Sequence, residues 1–158
     1  MTDPTTWLTP SAHRKLVDEY EYLTTEGRRE IEHRIADARS HGDLRENAEY
    51  DTAKNDQGMM EARIRQLRHI LDTAEVREAA DTGLVEIGSV VTVVDQDGDE
   101  IEFLVAPSEN KVAGKLLVSP ESPLGAALLG ASPGSDVTYQ APGGTFTYQV
   151  KTVRPFED

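Results

Sequence analysis

Two heptad-like apolar patterns, separated by a short polar segment, constrain this chain more than any other feature. The second pattern is the more regular one. Its seam positions, all apolar except Gln57, alternate at spacings of four and three residues, through Ala53, Gln57, Met60, Ile64, Leu67, Leu71 and Ala74. This spacing places one stripe along a helix and is typical of a coiled-coil seam. Because only a few residues around Gly42 separate the patterns, we expect an antiparallel helical hairpin.

The first pattern begins with a clear helix start. Thr9 is a favourable N-cap, and Pro10 suits the first helical position. The apolar positions then occur in two groups, which are Leu16, Tyr20 and Leu23, followed by Ile31, Ile35 and Ala38. The eight-residue step from Leu23 to Ile31 is longer than a heptad, so a stutter or a local bend is predicted there.

The composition changes after Ala80, where a linker at residues 81–83 leads into β-branched runs. Short strands are predicted at 90–94, 101–105, 115–118, 137–140 and 145–153. One short helix is predicted at 122–130, with Ser122 as its cap, Pro123 in its first position and Gly130 after its end. The predicted fold class is therefore α+β with two domains, a coiled-coil hairpin at 1–80 and a sheet domain at 84–158.

Charge and composition exclude several classes of protein. The net charge is −13, and residues 81–158 hold 12 Asp and Glu against 4 Lys and Arg, which argues against direct duplex binding. The absence of cysteine excludes disulfides, thiolate nucleophiles and cysteine-ligated zinc. No apolar stretch is long enough to span a membrane, and no signal peptide is recognisable, so a cytoplasmic location is expected.

The segment between the two helical patterns carries an acidic pair, Asp43 and Glu46. Their three-residue spacing can place both carboxylates on one side of a helix start. Carboxylate oxygens suit Mg²⁺, but two of them hold the ion weakly, so another molecule would have to complete such a site. The alternative is a structural one, in which Asp43 caps the second helix and Glu46 completes a capping box. Periodicity alone favours capping.

Residues 42–50, with the sequence Gly-Asp-Leu-Arg-Glu-Asn-Ala-Glu-Tyr, resemble the hairpin-tip motif of the bacterial Gre family of transcript cleavage factors. Further segments are similar to the family, and together they extend the resemblance over residues 8–155: Gln57-Gly58, Glu61–Ile64, Ser119–Gly125, Leu128–Gly130 and Pro142–Gly144. The modest basic content of the hairpin fits the GreA branch better than the GreB branch.

The resemblance implies a mechanism in which the protein binds RNA polymerase and inserts its hairpin through the secondary channel. Asp43 and Glu46 would then help to hold a second Mg²⁺ and its water at the polymerase active centre, where the polymerase cleaves a backtracked RNA 3′ end. The protein is expected to be an accessory factor and not an enzyme. Its Mg²⁺ is expected to be shared with the polymerase and not bound stably by the isolated chain. The second domain is expected to be FKBP-like and to grip the channel rim.

The resemblance also assigns residues outside the acidic pair. Arg39 and Lys54 fall where the family places basic residues near the RNA 3′ end, although a solvated charged face explains them equally well. Tyr50 either packs or contacts a base, and packing is the commoner fate of a helical tyrosine. Ser122, Pro123 and Leu124 fall in a neighbourhood that docks on the polymerase, whereas core packing is the favoured explanation for the leucines of this helix.

The expected partners follow from the same resemblance. They are RNA polymerase, the nascent RNA 3′ end indirectly, and DNA only through the polymerase complex. The protein is expected to be a monomer of the bacterial cytoplasm, associated with the nucleoid through polymerase, and to contact no membrane.

Three alternatives to this function remain open. They are a channel-binding regulator or inhibitor without cleavage activity, a prolyl isomerase, and a coiled-coil adaptor. An isomerase needs an aromatic pocket, for which the second domain offers Phe103, Tyr139, Phe146, Tyr148 and Phe156. The intact acidic pair argues against the inhibitor.

Overall fold

The computed structural model describes residues 6–40 and 44–158, and for residues 44–47 it describes the backbone alone. The chain divides into two compact units. One is His13–Ala74, and the other combines Glu75–Asp158 with the N-terminal segment that ends at Ala12. This division differs from the predicted boundaries, 1–80 and 84–158, because the segment before the first helix pairs with residues that follow the hairpin. The α+β, two-domain class is confirmed.

The hairpin is built from helices α1 (Pro10–Tyr22), α2 (Arg28–Arg39) and α3 (Leu44–Thr73), with a π-helical turn at Leu23–Gly27 between α1 and α2. The predicted helix start is confirmed, since the Thr9 hydroxyl accepts a hydrogen bond from the Ala12 N–H at 3.0 Å. No helix in the described part of the chain is long and apolar enough to cross a membrane.

The predicted irregularity in the first helix is this π-helical turn. A π turn accommodates one extra residue, so the apolar positions before and after it stay on one side of the helix. Two threonines support the turn. The Thr24 hydroxyl donates to the Tyr20 carbonyl at 2.8 Å, and the Thr25 hydroxyl donates to the Glu21 carbonyl at 2.6 Å. Local sequence thus supplies the hydrogen bonds that a distorted turn requires.

Gly27 is buried in the seam between the helices, although it interrupts the apolar pattern of the sequence. A Cβ at Gly27 would lie 3.3 Å from the Met60 Sδ and 3.4 Å from the Tyr22 carbonyl oxygen. The absence of a side chain therefore lets the π turn and α3 approach closely. Beyond it, Ile31 and Ile35 pack in a buried cluster with α3 residues.

Two fork-shaped ion pairs fix the register of the hairpin, one on each side of the π turn. Arg63 donates to both carboxylate oxygens of Glu19, each at 2.8 Å. Arg28 donates to those of Glu61 at 2.9 and 3.0 Å. Hydrogen bonds from these arginines lower the pKa of both carboxyls below its usual value. Because the four side chains retain 35–39% of their exposure, solvent screens both pairs and each contributes modestly to stability.

The second unit contains two short strands that were not predicted, β1 (Trp7–Leu8) and β2 (Glu75–Val76), which pair in parallel with each other. The predicted strands and short helix are confirmed, with these bounds: β3 (Ser89–Val94), β4 (Glu100–Val105), β5 (Leu116–Val118), α4 (Pro123–Leu128), β6 (Asp136–Ala141) and β7 (Gly144–Pro155). These five strands form one sheet in the order β5-β4-β3-β7-β6. All neighbours are antiparallel except β4 and β5.

The centre of the sheet is buried on both faces. On one face, Val91 and Val93 belong to the larger core, which includes Leu128 of α4. On the other face, Val90 and Leu104 pack with Trp7. This double burial explains why β3 is apolar at consecutive positions and does not alternate.

Asn110 attaches the N-terminal segment to the sheet unit. Its side chain is 1% exposed. The amide oxygen accepts from the Thr9 N–H at 2.9 Å, and the amide nitrogen donates to the Trp7 carbonyl at 2.8 Å. A buried amide with both ends paired holds the backbone of residues 7–9 in place, which explains why these residues belong with the sheet.

Replacing Gly27 with leucine should destabilise the hairpin by about 1–3 kcal/mol, because the new side chain overpacks the seam against Met60. The matched control is Gly58→Leu, since nothing lies within 4 Å of a Cβ at Gly58. That change should raise stability by about 0.5–1 kcal/mol through helix propensity. Urea unfolding followed by helical circular dichroism measures both effects. Equal effects of the two substitutions would show that the seam has room at Gly27.

The two fork pairs should make hairpin stability depend on acid pH. The folded-state pKa values of Glu19 and Glu61 are lowered, so their contribution is present above the ordinary value of 4.5 and is lost as the pH falls through the folded values. Glu19→Gln/Glu61→Gln should therefore reduce the loss of stability between about pH 6 and pH 3. A control, Asp18→Asn/Asp72→Asn, removes two exposed acids and should leave that loss almost unchanged. Urea midpoints across this range provide the measurement, and an unaltered dependence in the first variant would contradict the assignment.

Candidate functional site at the hairpin tip

The predicted acidic pair lies at the edge of what the structure describes. Asp43 is outside the described residues. Glu46 is in the first turns of α3, where the description covers the backbone and not the side chain. The choice between capping and metal binding for these two residues therefore stays a prediction.

The last turn of α2 precedes this segment, and hydrogen bonds define where the helix ends. Arg39 is the last residue of α2, and the following Ser40 closes it with two bonds to the Asp37 carbonyl. The Ser40 hydroxyl donates at 2.7 Å and its N–H at 3.2 Å. These bonds satisfy a carbonyl that the helix end would leave unpaired, so the position of Arg39 is fixed by the backbone.

Arg39 and Tyr50 meet across the hairpin. The guanidinium carbon lies 5.6 Å from the centroid of the tyrosine ring, and Nη2 donates to the phenol oxygen at 3.4 Å. This hydrogen bond, with a further contribution from the Lys54 charge, lowers the pKa of Tyr50 below its usual value. This contact was not predicted from the sequence. It follows from the antiparallel register: moving from Arg28 toward the turn along one helix and from Glu61 along the other by the same number of residues leads to Arg39 and Tyr50.

Tyr50 also packs on the seam, as predicted. It lies against the buried cluster of Ile31, Ile35 and Ala53. The ring is half-buried, so one part supports the helix contact and another meets the Arg39 guanidinium. The tyrosine therefore connects the apolar seam to the charged surface of the hairpin.

The two basic residues singled out from the sequence, Arg39 and Lys54, line one groove between α2 and α3. Lys54 donates to the Gln57 side chain at 3.1 Å, on the same groove. Arg34 belongs to a separate groove and pairs with Asp56 at 3.0 Å. The first groove therefore holds two cations and one acid, Glu32, and the Tyr50 ring lies beside Arg39.

The residues predicted to dock on a partner open helix α4. The Ser122 hydroxyl accepts from the Gly125 N–H at 3.1 Å, which confirms it as the helix cap. Pro123 is exposed, whereas Leu124 packs partly against the larger core. Ser122 and Leu124 therefore both have structural roles, and of the three residues Pro123 is the freest to meet another molecule.

The leucines at the end of α4 divide between core and surface. Leu128 is fully buried, so the favoured explanation of core packing is confirmed for it. Leu129 is 38% exposed. Leu128 therefore anchors the end of α4 in the core, whereas the next residue, Leu129, is apolar and lies at the surface.

The aromatic residues of the sheet unit do not gather around one pocket. Phe103 packs on the larger core and Phe156 on the smaller one. On the β6–β7 hairpin, Tyr139 stacks with Phe146 at a centroid distance of 5.5 Å and is tilted against Tyr148 at 5.7 Å. A single aromatic-lined proline site, which the isomerase alternative requires, is not formed by these five residues.

Among the described residues, one group of three acids has oxygens close enough to hold a metal, and it lies at the β3–β4 turn. Asp95 has a backbone role there, because its Oδ1 accepts from the N–H groups of Asp97 and Asp99, both at 2.9 Å. Turn formation therefore explains Asp95 without a metal. The group includes none of the predicted site residues.

Removing the Arg39 charge should raise the pKa of the Tyr50 phenol toward its ordinary value of 10.0, since the main cause of the lowering is the hydrogen bond from Arg39. NMR titration of labelled tyrosine rings in Arg39→Gln measures this shift, with Tyr50→Phe used for assignment. Arg34→Gln is the matched control, because Arg34 pairs with Asp56 instead. A Tyr50 pKa that stays the same in Arg39→Gln would contradict the contact.

Comparison with known proteins identifies both units. Residues 6–76 match the family model described as transcription elongation factor, N-terminal, and residues 80–155 match the model for the GreA/GreB C-terminal domain. Together the two models account for most of the chain, in the order that the family has them.

Individual relatives agree with the family models. Transcription elongation factor GreA of Streptomyces coelicolor is 48% identical over 143 residues, which is 88% of this chain and 86% of that protein. GreA of Chloroflexus aurantiacus is 41% identical and covers 98% of this chain and 100% of its own length. The crystal structure of GreA factor homolog 1 from Thermus thermophilus matches 96% of this chain and 99% of its own, with 25% identity and a TM-score of 0.45. The two family models and the two GreA relatives show that the chain belongs to the GreA/GreB family of transcription elongation factors.

Proposed function

We propose that this transcription elongation factor binds RNA polymerase through the secondary channel and stimulates the polymerase's own cleavage of backtracked RNA 3′ ends. One observation carries the proposal. The family match extends over both units, and residues 44–50 of the acidic segment form the first turns of α3, which follows α2 in the hairpin. The polymerase supplies the catalytic site, so the factor acts as an accessory to it.

The length of α3 supports the proposed insertion. Its 30 residues, at about 1.5 Å per residue, give a helix about 45 Å long. The packed seam and the two fork-shaped ion pairs keep this helix and its partner in register. A long, rigid pair of helices can carry a short acidic segment into a reaction centre that a globular domain cannot enter.

Asp43 and Glu46 are the proposed contributors of carboxylate oxygens at the active centre. When bound there, a second Mg²⁺ supplies the activation of water that two-metal phosphodiester hydrolysis requires. The donor chemistry fits, because Mg²⁺ prefers oxygen ligands and keeps several waters, so one or two carboxylates from a visiting protein suffice. The same small number of ligands explains why we expect weak binding of the ion by the factor alone.

Arg39 and Lys54 are proposed to approach the displaced RNA 3′ end. They share one groove of the hairpin with Tyr50 nearby, and their charges oppose the net charge of −13 on the whole chain. A local pair of cations can neutralise one or two phosphates at short range while the rest of the protein repels nucleic acid. This arrangement favours contact with RNA only after polymerase has positioned the hairpin.

Asp43→Asn and Glu46→Gln should each lower the rate of RNA cleavage in a backtracked polymerase complex by about tenfold or more, because each removes a charged oxygen ligand. Binding to polymerase should change little. The assay follows shortening of labelled RNA at saturating factor, and a separate titration measures affinity. Asp72→Asn, an exposed acid far along α3, is the control and should cleave like the wild type.

Three results would contradict the proposal. Absence of shortened RNA with saturating wild-type factor favours the regulator that occupies the channel without promoting cleavage. Full cleavage by Asp43→Asn/Glu46→Gln favours helix capping as the role of the pair. Nuclease activity of the isolated wild-type protein would show that the polymerase does not supply the reaction centre.

A further inference from the structure

The arginines of the hairpin differ in the groups that they contact. Several form ion pairs with carboxylates of the same unit, namely Arg28, Arg29, Arg34 and Arg63. Arg39, the last residue of α2, forms no ion pair with any side chain in the described part of the chain. It contacts the ring and the hydroxyl of Tyr50 instead. The arginine next to the tip therefore has an aromatic partner where others have an acid.

The other charged groups of the same groove do not neutralise Arg39 either. Lys54 donates to the neutral side chain of Gln57 at 3.1 Å. Glu32 is the one acid among the described residues that line the groove, and it forms an ion pair with neither Arg39 nor Lys54. The charge of Arg39 is thus left without a direct counterion by the described side chains around it.

An aromatic ring and a carboxylate restrain an arginine in different ways. A carboxylate neutralises the guanidinium and occupies the donors that a phosphate would use. A ring face attracts the cation but leaves its charge in place. Among the described contacts of Arg39, Nη2 alone donates, and its distance of 3.4 Å to the phenol oxygen is longer than usual. Tyr50 therefore restrains this arginine and leaves its charge available to an anion.

Tyr50 is itself held well enough to serve as a support. Its ring is half-buried and packs against the cluster of Ile31, Ile35 and Ala53. The Ser40 bonds to the end of α2 fix the backbone from which Arg39 extends. A fixed ring on one helix thus limits the conformations of a long, exposed side chain on the other. This restraint reduces the conformational entropy that Arg39 loses when it binds a phosphate.

We propose that Tyr50 is a positioning residue, which holds the uncompensated charge of Arg39 beside the tip for contact with a phosphate of the RNA 3′ end. The inference rests on the proposed function, because the phosphate is that of a backtracked transcript. Tyr50 acts through Arg39 and has no separate part in the chemistry.

A second arginine–tyrosine contact offers a matched comparison within the same hairpin unit. Arg68 donates to the Tyr20 hydroxyl from Nη2 at 3.2 Å and from Nε at 3.3 Å. Both residues lie in parts of α1 and α3 that are remote from the tip in sequence. The residue types are the same, but no RNA contact is proposed at this position, so its loss reports on hairpin packing alone.

A double-mutant cycle on RNA cleavage separates positioning from packing. Tyr50→Leu keeps an apolar side chain on the seam and removes the ring. At saturating factor it should lower the cleavage rate of a backtracked polymerase complex by about twofold to fivefold. The factor concentration for half-maximal cleavage should stay the same. In an Arg39→Gln background, which is itself slower than the wild type, Tyr50→Leu should cost nothing further. Tyr50→Phe keeps the ring face and should retain at least half of the wild-type rate.

The controls test folding and the contact itself. Tyr20→Leu should cleave like the wild type. Tyr50→Met is a second variant without a ring and should match Tyr50→Leu in cleavage, and urea midpoints show that each variant is folded. In NMR spectra of the full chain, the Arg39 Nε–H signal should shift in Tyr50→Leu, because the ring current is lost. The Arg34 signal should stay in place, since Arg34 pairs with Asp56.

Four results would overturn the proposal. They are wild-type cleavage by Arg39→Gln or by Tyr50→Leu, an equal loss from Tyr50→Leu with and without Arg39, a loss in Tyr50→Phe as large as in Tyr50→Leu, and an unmoved Arg39 signal in Tyr50→Leu. Each of these leaves the Asp43-dependent cleavage by the wild type intact, which distinguishes them from failure of the proposed function. Absence of cleavage by the wild type would overturn both.

Discussion

The close packing of two antiparallel helices along one seam is the constraint on which the rest of this account depends. Gly27 permits a close approach of the helices, and the π turn absorbs the residue that would otherwise rotate the seam out of contact. Ion pairs such as Arg28 with Glu61 add modest support to the register that this packing sets. Because the seam fixes the register, Arg39, Tyr50 and Lys54 meet near the tip although they come from different helices.

The sequence predicted those parts of the fold that arise from local physics. Heptad spacing predicted the hairpin, the eight-residue step predicted the irregular turn, and Ser122 with Pro123 predicted the start of α4. What escaped prediction depends on contacts between distant segments. The strands β1 and β2 have two residues each and therefore no periodicity, and they form because Asn110 holds residues 7–9 against the sheet.

The candidate site also has one part that the sequence predicts and another that only the folded chain reveals. A nine-residue motif sufficed to single out Asp43 and Glu46, and family position singled out Arg39 and Lys54. The Arg39–Tyr50 contact follows only from the folded chain, since it joins residues from α2 and α3. The hairpin carries the residues of the proposed chemistry.

If Asp43 and Glu46 act as proposed, their carboxylates lie beside a second Mg²⁺ in the polymerase active centre during cleavage. A cryo-electron microscopy structure of this factor on a backtracked RNA polymerase, with Mg²⁺ present, measures that position directly. The account predicts an oxygen of Asp43 or Glu46 at about 2.0–2.1 Å from a second Mg²⁺, or one bridging water away from it. Both side chains bonded to the first backbone N–H groups of α3, with no cation near them, would contradict it.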